Sequence, residues 1–218
     1  HDLEQDLAGH VPQLKIDRPV LRISVTADCL STWWFPATQK STADLGLRFS
    51  ITVADQDIAR AKMETGEVCA CLSSSAKALP AAKTVHVRTM TYRMYASPSF
   101  YAKYFEGNTL HNAVKKAPAV IFGKEDGLHS KYLALHDIKG DFPFHEAPDA
   151  TGIAQAVFAG IGYGMLTDEQ IELVDSGRTL IDISPQHHVP ENLYWHYWRN
   201  GSALLRQFSE SLGVQDCS

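Results

Sequence analysis

Strand-like and helix-like segments alternate over the first third of the chain, and this alternation constrains the fold more than any other feature. Segments with the β-branched and apolar content of strands occur at residues 21–27, 47–53 and 67–72. Helix-like segments lie between these strands, at residues 32–39 and 55–64. A β-α-β-α-β order is typical of a parallel sheet with right-handed crossovers, because parallel neighbours require a long connection. The sequence therefore predicts an α/β fold.

A second set of short α/β segments follows the first. Strands are predicted at 119–122, 144–146, 163–166 and 180–183, and helices at 99–105, 127–136, 151–159 and 168–175. Two longer strand-like segments, 84–96 and 191–199, flank this set, and a helix at 202–212 closes the chain. We therefore expect two α/β lobes joined by two crossover strands.

The overall composition argues against several functional classes. Of the 218 residues, 44% are hydrophobic and 21% are charged, as in ordinary globular proteins. The formal net charge is −5 and no run of Lys or Arg exceeds two residues, whereas a nucleic-acid surface needs clustered cations. No apolar stretch approaches the roughly 18–20 residues that span a bilayer. We therefore expect neither nucleic-acid nor membrane contact from this chain.

The four cysteines predict free thiols. Cys69 and Cys71 are two residues apart on a predicted strand, so both would face the same side and are poorly placed to bond each other. Cys29 and Cys217 complete the set, and no Cys or His spacing is typical of zinc. We expect a reducing, cytoplasmic compartment and no metal or other cofactor.

The first residues have the pattern of a helix end. Leu3 and Leu7 are four residues apart, and Gly9 and Pro12 then interrupt the helix. We interpret residues 1–15 as the end of a helix that begins in a longer protein.

Polar and acidic turns follow the predicted strands, where α/β sheets bind their ligands. These turns contain Asp28, Cys29, Leu30, Ser31 and Thr32, then Asp55 and Gln56, then Ser73, Ser74 and Ser75, then Glu125 and Asp126, and finally Asp149, Ala150 and Thr151. Three of the five turns have an acid where a helix begins. The pattern predicts a cleft for a small metabolite and no catalytic apparatus.

Five stretches resemble the effector-binding domain of LysR-type transcriptional regulators, most closely the branch that contains ArgP and LysG. They are VTADCLSTWWFPA (25–37), GEVCACLSSSAKALP (66–80), ASPSFYAKYF (96–105), KAPAVIFGKEDGLHSKYL (116–133) and NLYWHYWR (192–199). They occur in family order across nearly the whole chain. The ADxLxTW opening and the late LYWH segment are the most specific of these motifs.

The resemblance implies two Rossmann-like lobes of the type 2 periplasmic-binding-protein kind. Lobe I would comprise residues 19–91 and 195–218, and lobe II residues 92–194. A winged helix-turn-helix domain, absent from this chain, would precede it and bind DNA in the cytoplasm. The resemblance also implies a homodimer or a homotetramer built from dimers, in which the effector domains pair through helices on the flanks of the lobes.

The resemblance also implies an effector site in the cleft between the lobes. Its residues would be Asp28, Cys29, Leu30, Ser31, Thr32, Asp55, Gln56, Ser73, Ser74, Tyr92, Asp126, Asp149, Ala150 and Thr151. Cys29 stands where relatives commonly have a hydroxyl. The branch senses lysine and arginine to control basic amino acid export, so the acids would bind the ligand's cations. The carboxylate of the bound lysine or arginine would then bind to Ser31, Thr32 or Thr151.

Simpler roles remain open for several of these residues. Asp28, Asp55 and Asp149 are also good helix N-caps, and Ser31 could take the place of Asp28 as the cap of the helix at 32–39. The serines at 73–75 are equally consistent with a polar loop. Trp33 and Trp34 favour packing between elements, with a dimer face as the second choice, and Trp195, Tyr197 and Trp198 favour the core.

Enzyme and metal roles have little support in the sequence, and one other class of binding protein remains open. His187 and His188 with Glu191 lack the spacing of a shared metal site, and no motif supports Cys29 as a nucleophile. A periplasmic-type solute-binding protein for an amino acid shares the two-lobe design. It would need a signal peptide, and His1 opens no such segment.

Overall fold

The computed structural model describes residues 18–54, 56–123 and 127–213, which form a curled mixed sheet, a two-stranded sheet and the helices packed on them. The helix end predicted at the start of the chain lies outside these residues.

The first predicted set forms around a central strand, β1. Its elements in chain order are β1 (Val20–Val25), α1 (Ala27–Ser31), α2 (Trp34–Asp44), β2 (Arg48–Val53), α3 (Gln56–Glu64) and β3 (Ala70–Ser73). β1 pairs in parallel with β2 on one side and with β3 on the other, as predicted. Helix α3 is followed by Gly66 at φ +75°, the left-handed conformation that favours glycine after a helix.

The prediction of a single helix over 32–39 is wrong in its bounds. α1 ends at Ser31, and α2 begins at Trp34 and continues to Asp44. The hydroxyls of Ser31 and Thr32 donate to the carbonyl of Asp28 at 3.1 and 2.6 Å, and α1 ends at this point. Thr26, with extended backbone, holds the N-cap position of α1. Asp28 therefore lies in the first turn, and neither Asp28 nor Ser31 is a cap.

The second set contains the predicted elements and one more helix. They are α4 (Pro98–Tyr104), α5 (Leu110–Val114), β5 (Ala119–Ile121), α6 (Gly127–Ala134), β6 (Phe144–Glu146), α7 (Ala150–Phe158), β7 (Gly164–Leu166), α8 (Asp168–Val174) and β8 (Ile181–Asp182). The sequence did not predict α5, which begins where the Thr109 side chain accepts a hydrogen bond from the backbone N–H of Asn112. β5 and β6 pair in parallel.

Two long strands connect the sets. β4 (Ala82–Ala96) and β9 (Val189–Trp198) pair antiparallel along most of their length, with a register shift between His86 and Arg88. β9 also pairs with β3, whereas the far end of β4 pairs with β7 and β8. α9 (Ala203–Gly213) packs against both strands. The predicted two-lobe α/β architecture with two crossover strands is confirmed.

An aromatic cluster fills the core beneath the first set. Trp34 and Trp195 are fully buried, and their ring centroids lie 5.6 Å apart. Phe208 of α9 contacts both rings at 6.2 and 6.0 Å, and Trp195 Nε1 donates to Ser209 Oγ at 2.9 Å. The prediction that these tryptophans serve packing is confirmed. Trp33 is also buried, at 7% exposure.

The cysteines that the structure describes, Cys29, Cys69 and Cys71, are free thiols, as predicted. Cys217 lies outside the described residues. Within residues 18–54, 56–123 and 127–213, no helix is both long enough and apolar enough to cross a bilayer.

Candidate functional site

Asp28 is the point at which three distant segments meet. It lies in the first turn of α1, directly beyond the carboxyl end of β1. Its Oδ2 accepts a hydrogen bond from the Tyr92 hydroxyl at 2.7 Å, and its Oδ1 accepts one from Nε2 of Gln170 at 2.9 Å. Two buried donors on β4 and α8 thus fix the direction of a half-buried carboxylate.

Tyr92 is held as a donor by its surroundings. Burial raises the pKa of its hydroxyl well above the ordinary value, and the nearby charge of Asp28 and the hydrogen bond to it raise the pKa further. The hydroxyl also lies 3.8 Å from Met90 Sδ. The proton therefore stays on the tyrosine, so Tyr92 cannot be an anion competing with Asp28 for a cation.

Gln170 is a site residue that the sequence reasoning missed. Its Oε1 accepts from the backbone N–H of Thr167 at 2.9 Å, and its own backbone N–H donates to the Thr167 hydroxyl. This reciprocal pair is a capping box at the start of α8. The signal was present as Thr167-Asp168-Glu169-Gln170, a T-x-x-Q pattern that begins a helix. The pattern predicts the cap but gives no indication of the contact with Asp28.

The first turn of α8 is tied to β4 at two further points. Glu169 forms an ion pair with Arg88, and Asp168 Oδ1 accepts from the Tyr95 hydroxyl at 3.3 Å. The Arg88 guanidinium also lies over the Trp33 ring, 5.5 Å from its centroid. These contacts position α8, and with it Gln170, relative to α1.

A second acid lies close to Tyr92. Glu191 on β9 pairs in register with Met90 on β4, and its charge contributes to the raised pKa of Tyr92. Its Oε2 accepts from Lys131 Nζ of α6 at 2.9 Å. Two carboxylates, Asp28 and Glu191, therefore act on Tyr92, and Glu191 is itself paired with Lys131.

The other predicted site residues in and directly after α1 contact the core or bond to the backbone of the same turn. Cys29 is fully buried and faces the core, where Thr26 Oγ1 donates to its Sγ at 3.0 Å and Met90 Sδ lies 3.7 Å away. Burial raises the pKa of this thiol to about 12, so it is not a nucleophile at neutral pH. Leu30 packs against the core, and the Ser31 and Thr32 hydroxyls already donate to Asp28 O.

The predicted residues Asp149, Ala150 and Thr151 lie at the start of α7, a helix that packs against α1. Asp149 is exposed, and its Oδ2 accepts from the backbone N–H of Gly152 at 2.7 Å, which makes it the N-cap of α7. Ala150 is buried, and Thr151 is half-buried.

In the serine turn after β3, one hydroxyl is already hydrogen-bonded to the backbone of the turn itself. Ser73 is fully buried, and its hydroxyl accepts from the backbone N–H of Ser75 at 3.1 Å. Ser74 is half-buried. Asp55 and Asp126 lie outside the described residues, and Gln56 is described only as the first residue of α3.

No group of three or more metal-binding side chains occurs among the residues that the structure describes. His187 instead hydrogen-bonds Ser184 through Nδ1 at 2.9 Å and lies against the ring of His136, with centroids 4.1 Å apart.

Comparison with known proteins gives consistent relatives, although no protein-family model matches the chain. The chain is 35% identical over 212 residues to the HTH-type transcriptional regulator ArgP of Pseudomonas fluorescens, and the alignment covers 96% of this chain and 71% of that protein. The C-terminal domains of a LysR family protein from Agrobacterium tumefaciens are 25% identical, with a TM-score of 0.84 over 90% of this chain and 95% of that chain. Full-length LysG from Corynebacterium glutamicum with the effector arginine bound is 21% identical, with a TM-score of 0.77 over 96% of this chain and 70% of that chain.

Proposed function

Because this chain belongs to the LysR-type family of transcriptional regulators, in which ArgP is its relative, we propose that its cleft binds lysine or arginine as the effector. The chain is the regulatory domain of such a regulator, and it is not an enzyme. We place the division between the lobes as the sequence predicts, with residues 19–91 and 195–218 in lobe I and residues 92–194 in lobe II. The relatives are regulators, which argues against a periplasmic solute-binding protein.

The single observation that supports a cationic effector best is the arrangement of Asp28. A half-buried carboxylate at the end of β1 is oriented by hydrogen bonds from two neutral donors, Tyr92 and Gln170. A ligand ammonium or guanidinium group bonded to this carboxylate would contribute roughly 1.5–3 kcal/mol. The arginine bound by LysG supports the same chemical class.

The ligand's carboxylate needs donors other than the α1 hydroxyls. Ser31 and Thr32 use their protons on Asp28 O, so they favour accepting from an ammonium group. Thr151, in the first turn of a helix that packs against α1, is the hydroxyl that we propose for the carboxylate, with Ser74 as its counterpart after β3. Lysine and arginine have both charges, which suits a site with an acid on one side and hydroxyls on the other.

For the whole protein, we propose that a winged helix-turn-helix domain precedes this chain and binds DNA in the cytoplasm. The chain spans 71% of the length of its HTH-type relative. We further propose that the regulator assembles as a homodimer or homotetramer through its regulatory domains, and that effector binding alters this assembly on DNA.

Isothermal titration calorimetry with L-arginine, L-lysine and L-citrulline tests the effector proposal. Citrulline has nearly the shape of arginine without its charged tail. We expect arginine or lysine to bind with a micromolar Kd, which corresponds to a binding free energy of about 8 kcal/mol. We expect citrulline to bind at least about tenfold more weakly. The absence of binding by both basic amino acids, or equal binding of citrulline and arginine, would contradict the proposal.

A pair of variants assigns the binding to Asp28. We expect Asp28→Asn to weaken binding of the basic amino acid by about 10- to 100-fold, since it removes the charge and keeps the shape. Asp44→Asn is the matched control, because Asp44 is exposed on α2 and pairs with Lys40. Equal effects of the two substitutions would remove Asp28 from the site.

A further inference from the structure

We propose that Gln170 is a positioning residue of the effector site, and that its hydrogen bond to Asp28 couples the closing of the two lobes to the direction of that carboxylate. The inference rests on the proposed function for the identity of the effector. The clamp itself, defined as the Asp28–Gln170 hydrogen bond, rests on geometry alone.

The orientation of the Gln170 amide follows from its neighbours. The backbone N–H of Thr167 is a donor, so it requires the oxygen of the amide, which it meets at 2.9 Å. The nitrogen then points to Asp28, whose Oδ1 accepts at 2.9 Å. At 3% exposure, the side chain has little room for another rotamer. The donor is therefore fixed in place before any ligand arrives.

The clamp joins parts of the chain that no strand pairing joins directly. Asp28 follows β1, which pairs with β2 and β3, and Gln170 follows β7, which pairs with the far end of β4. The two residues are 142 positions apart in sequence. On the proposed division, Asp28 belongs to lobe I and Gln170 to lobe II, so opening the cleft breaks this bond.

The first turn of α8 contacts β4 on both sides of the proposed boundary between the lobes. Glu169 pairs with Arg88, which belongs to lobe I on this division, so opening the cleft breaks this ion pair as well. Asp168 accepts from Tyr95 of lobe II, and α8 follows β7, which pairs with the lobe II end of β4, so Gln170 stays with lobe II if the lobes separate. A ligand cation that bonds to Asp28 in its observed orientation binds the closed arrangement more tightly than the open one. Binding therefore shifts the population toward the closed state.

Exchanging the two functional groups provides the test. Gln170→Glu places a carboxylate against Asp28, and Asp28→Asn replaces the acceptor charge by an amide. In the double variant Asp28→Asn/Gln170→Glu, the nitrogen of the new asparagine would donate to the carboxylate of the new glutamate. The asparagine oxygen would still accept from Tyr92, and the glutamate would still accept from the Thr167 N–H. The clamp is restored with its polarity reversed.

The stability of these variants reports on the clamp with no ligand present. We expect Gln170→Glu to lower the thermal unfolding temperature by several degrees, and the double variant to recover most of that loss. Gln170→Leu serves as a second, uncharged variant if Gln170→Glu does not fold. Gln207→Leu, at an exposed glutamine on α9, is the matched control. Losses that simply add in the double variant would overturn the clamp.

Arginine binding then tests the positioning role. We expect Gln170→Leu to weaken arginine binding by about 10-fold or more while the preference for arginine over citrulline is retained, because the charge of Asp28 remains. We expect the double variant to bind arginine at least about tenfold more tightly than Asp28→Asn alone. Unchanged affinity in Gln170→Leu would overturn the positioning role. If the parent chain binds neither basic amino acid, the proposed effector fails and the stability cycle still decides the clamp.

Discussion

The Tyr92 hydroxyl donates to Oδ2 of Asp28 at 2.7 Å, across 64 residues of sequence. This bond joins the crossover strand β4 to the first turn of α1, and the donor is 4% exposed. Because burial and the nearby carboxylate raise the pKa of Tyr92, the bond persists throughout the neutral range. It therefore serves both the fold and the proposed site.

Removing this hydroxyl is expected to destabilise the protein. Tyr92→Phe deletes one donor to a charged acceptor, so we expect the free energy of unfolding to fall by about 1.5–3 kcal/mol. Chemical denaturation measures this loss. Tyr101→Phe is the control, since Tyr101 is half-buried and stacks on Phe105 through its ring. A loss below about 0.5 kcal/mol for Tyr92→Phe would contradict a strong bond to Asp28.

The adjacent residues Trp34 and Phe35 give a sharp test of the aromatic core. Trp34 is fully buried against Trp195 and Phe208, whereas Phe35 is 55% exposed. We expect Trp34→Ala to lower the free energy of unfolding by about 3–5 kcal/mol, or to prevent folding. For Phe35→Ala we expect a loss below about 1 kcal/mol. Denaturation curves of the two variants measure the contrast, and similar losses would contradict this packing.

Local patterns predicted most elements, because strand and helix periodicity and turn residues act within a few positions. The parallel pairing of β1 with β2 and β3 followed from the β-α-β-α-β order. The division between α1 and α2 was missed, since it depends on hydroxyls that donate back to Asp28 O. Short-range side-chain bonds of this kind compete with the helix without altering its apolar periodicity.

The site was less predictable than the fold. The carboxyl ends of strands and the family resemblance singled out Asp28 and Tyr92 as site residues, and the structure bonds them to each other. Gln170 was missed because its partner lies 142 residues away, and a single sequence does not reveal such a pairing. Its capping pattern accounts for only part of its bonding. Cys29 lies on the turn after β1 that the sequence singles out, but its side chain faces the core.

Acidification is expected to destabilise the fold through His196. Burial lowers the pKa of this fully buried histidine, and its Nδ1 and Nε2 meet Thr84 Oγ1 at 3.0 Å and Ser75 O at 2.9 Å. The carbonyl can only accept, so Nε2 has the proton and neutral Nδ1 accepts from the threonine.

The sign of the pH dependence follows from the lowered pKa. The unfolded chain takes up a proton near the ordinary value of 6.5, before the folded chain does, so stability is present above that pH. The stability contributed by His196 is lost as the pH falls from 6.5 through the lower folded pKa. We expect denaturation at about pH 7.5 and about pH 5.5 to show a smaller difference in His196→Gln than in the parent chain. His111→Gln, at an exposed position on α5, should keep the parent's difference.

Substitutions of Asp149 distinguish a role as helix cap from a role in binding the effector. Its Oδ2 accepts from the backbone N–H of Gly152 at 2.7 Å, and its exposed position makes the cap its main contribution. We expect Asp149→Ala to lower the free energy of unfolding by about 1 kcal/mol and Asp149→Ser to restore most of it, since serine caps helices equally well. Arginine affinity measured by calorimetry should stay within about twofold in Asp149→Ser. A stable Asp149→Ser variant that binds arginine about tenfold more weakly would instead make Asp149 a ligand contact, with its charge acting on the effector beside that of Asp28.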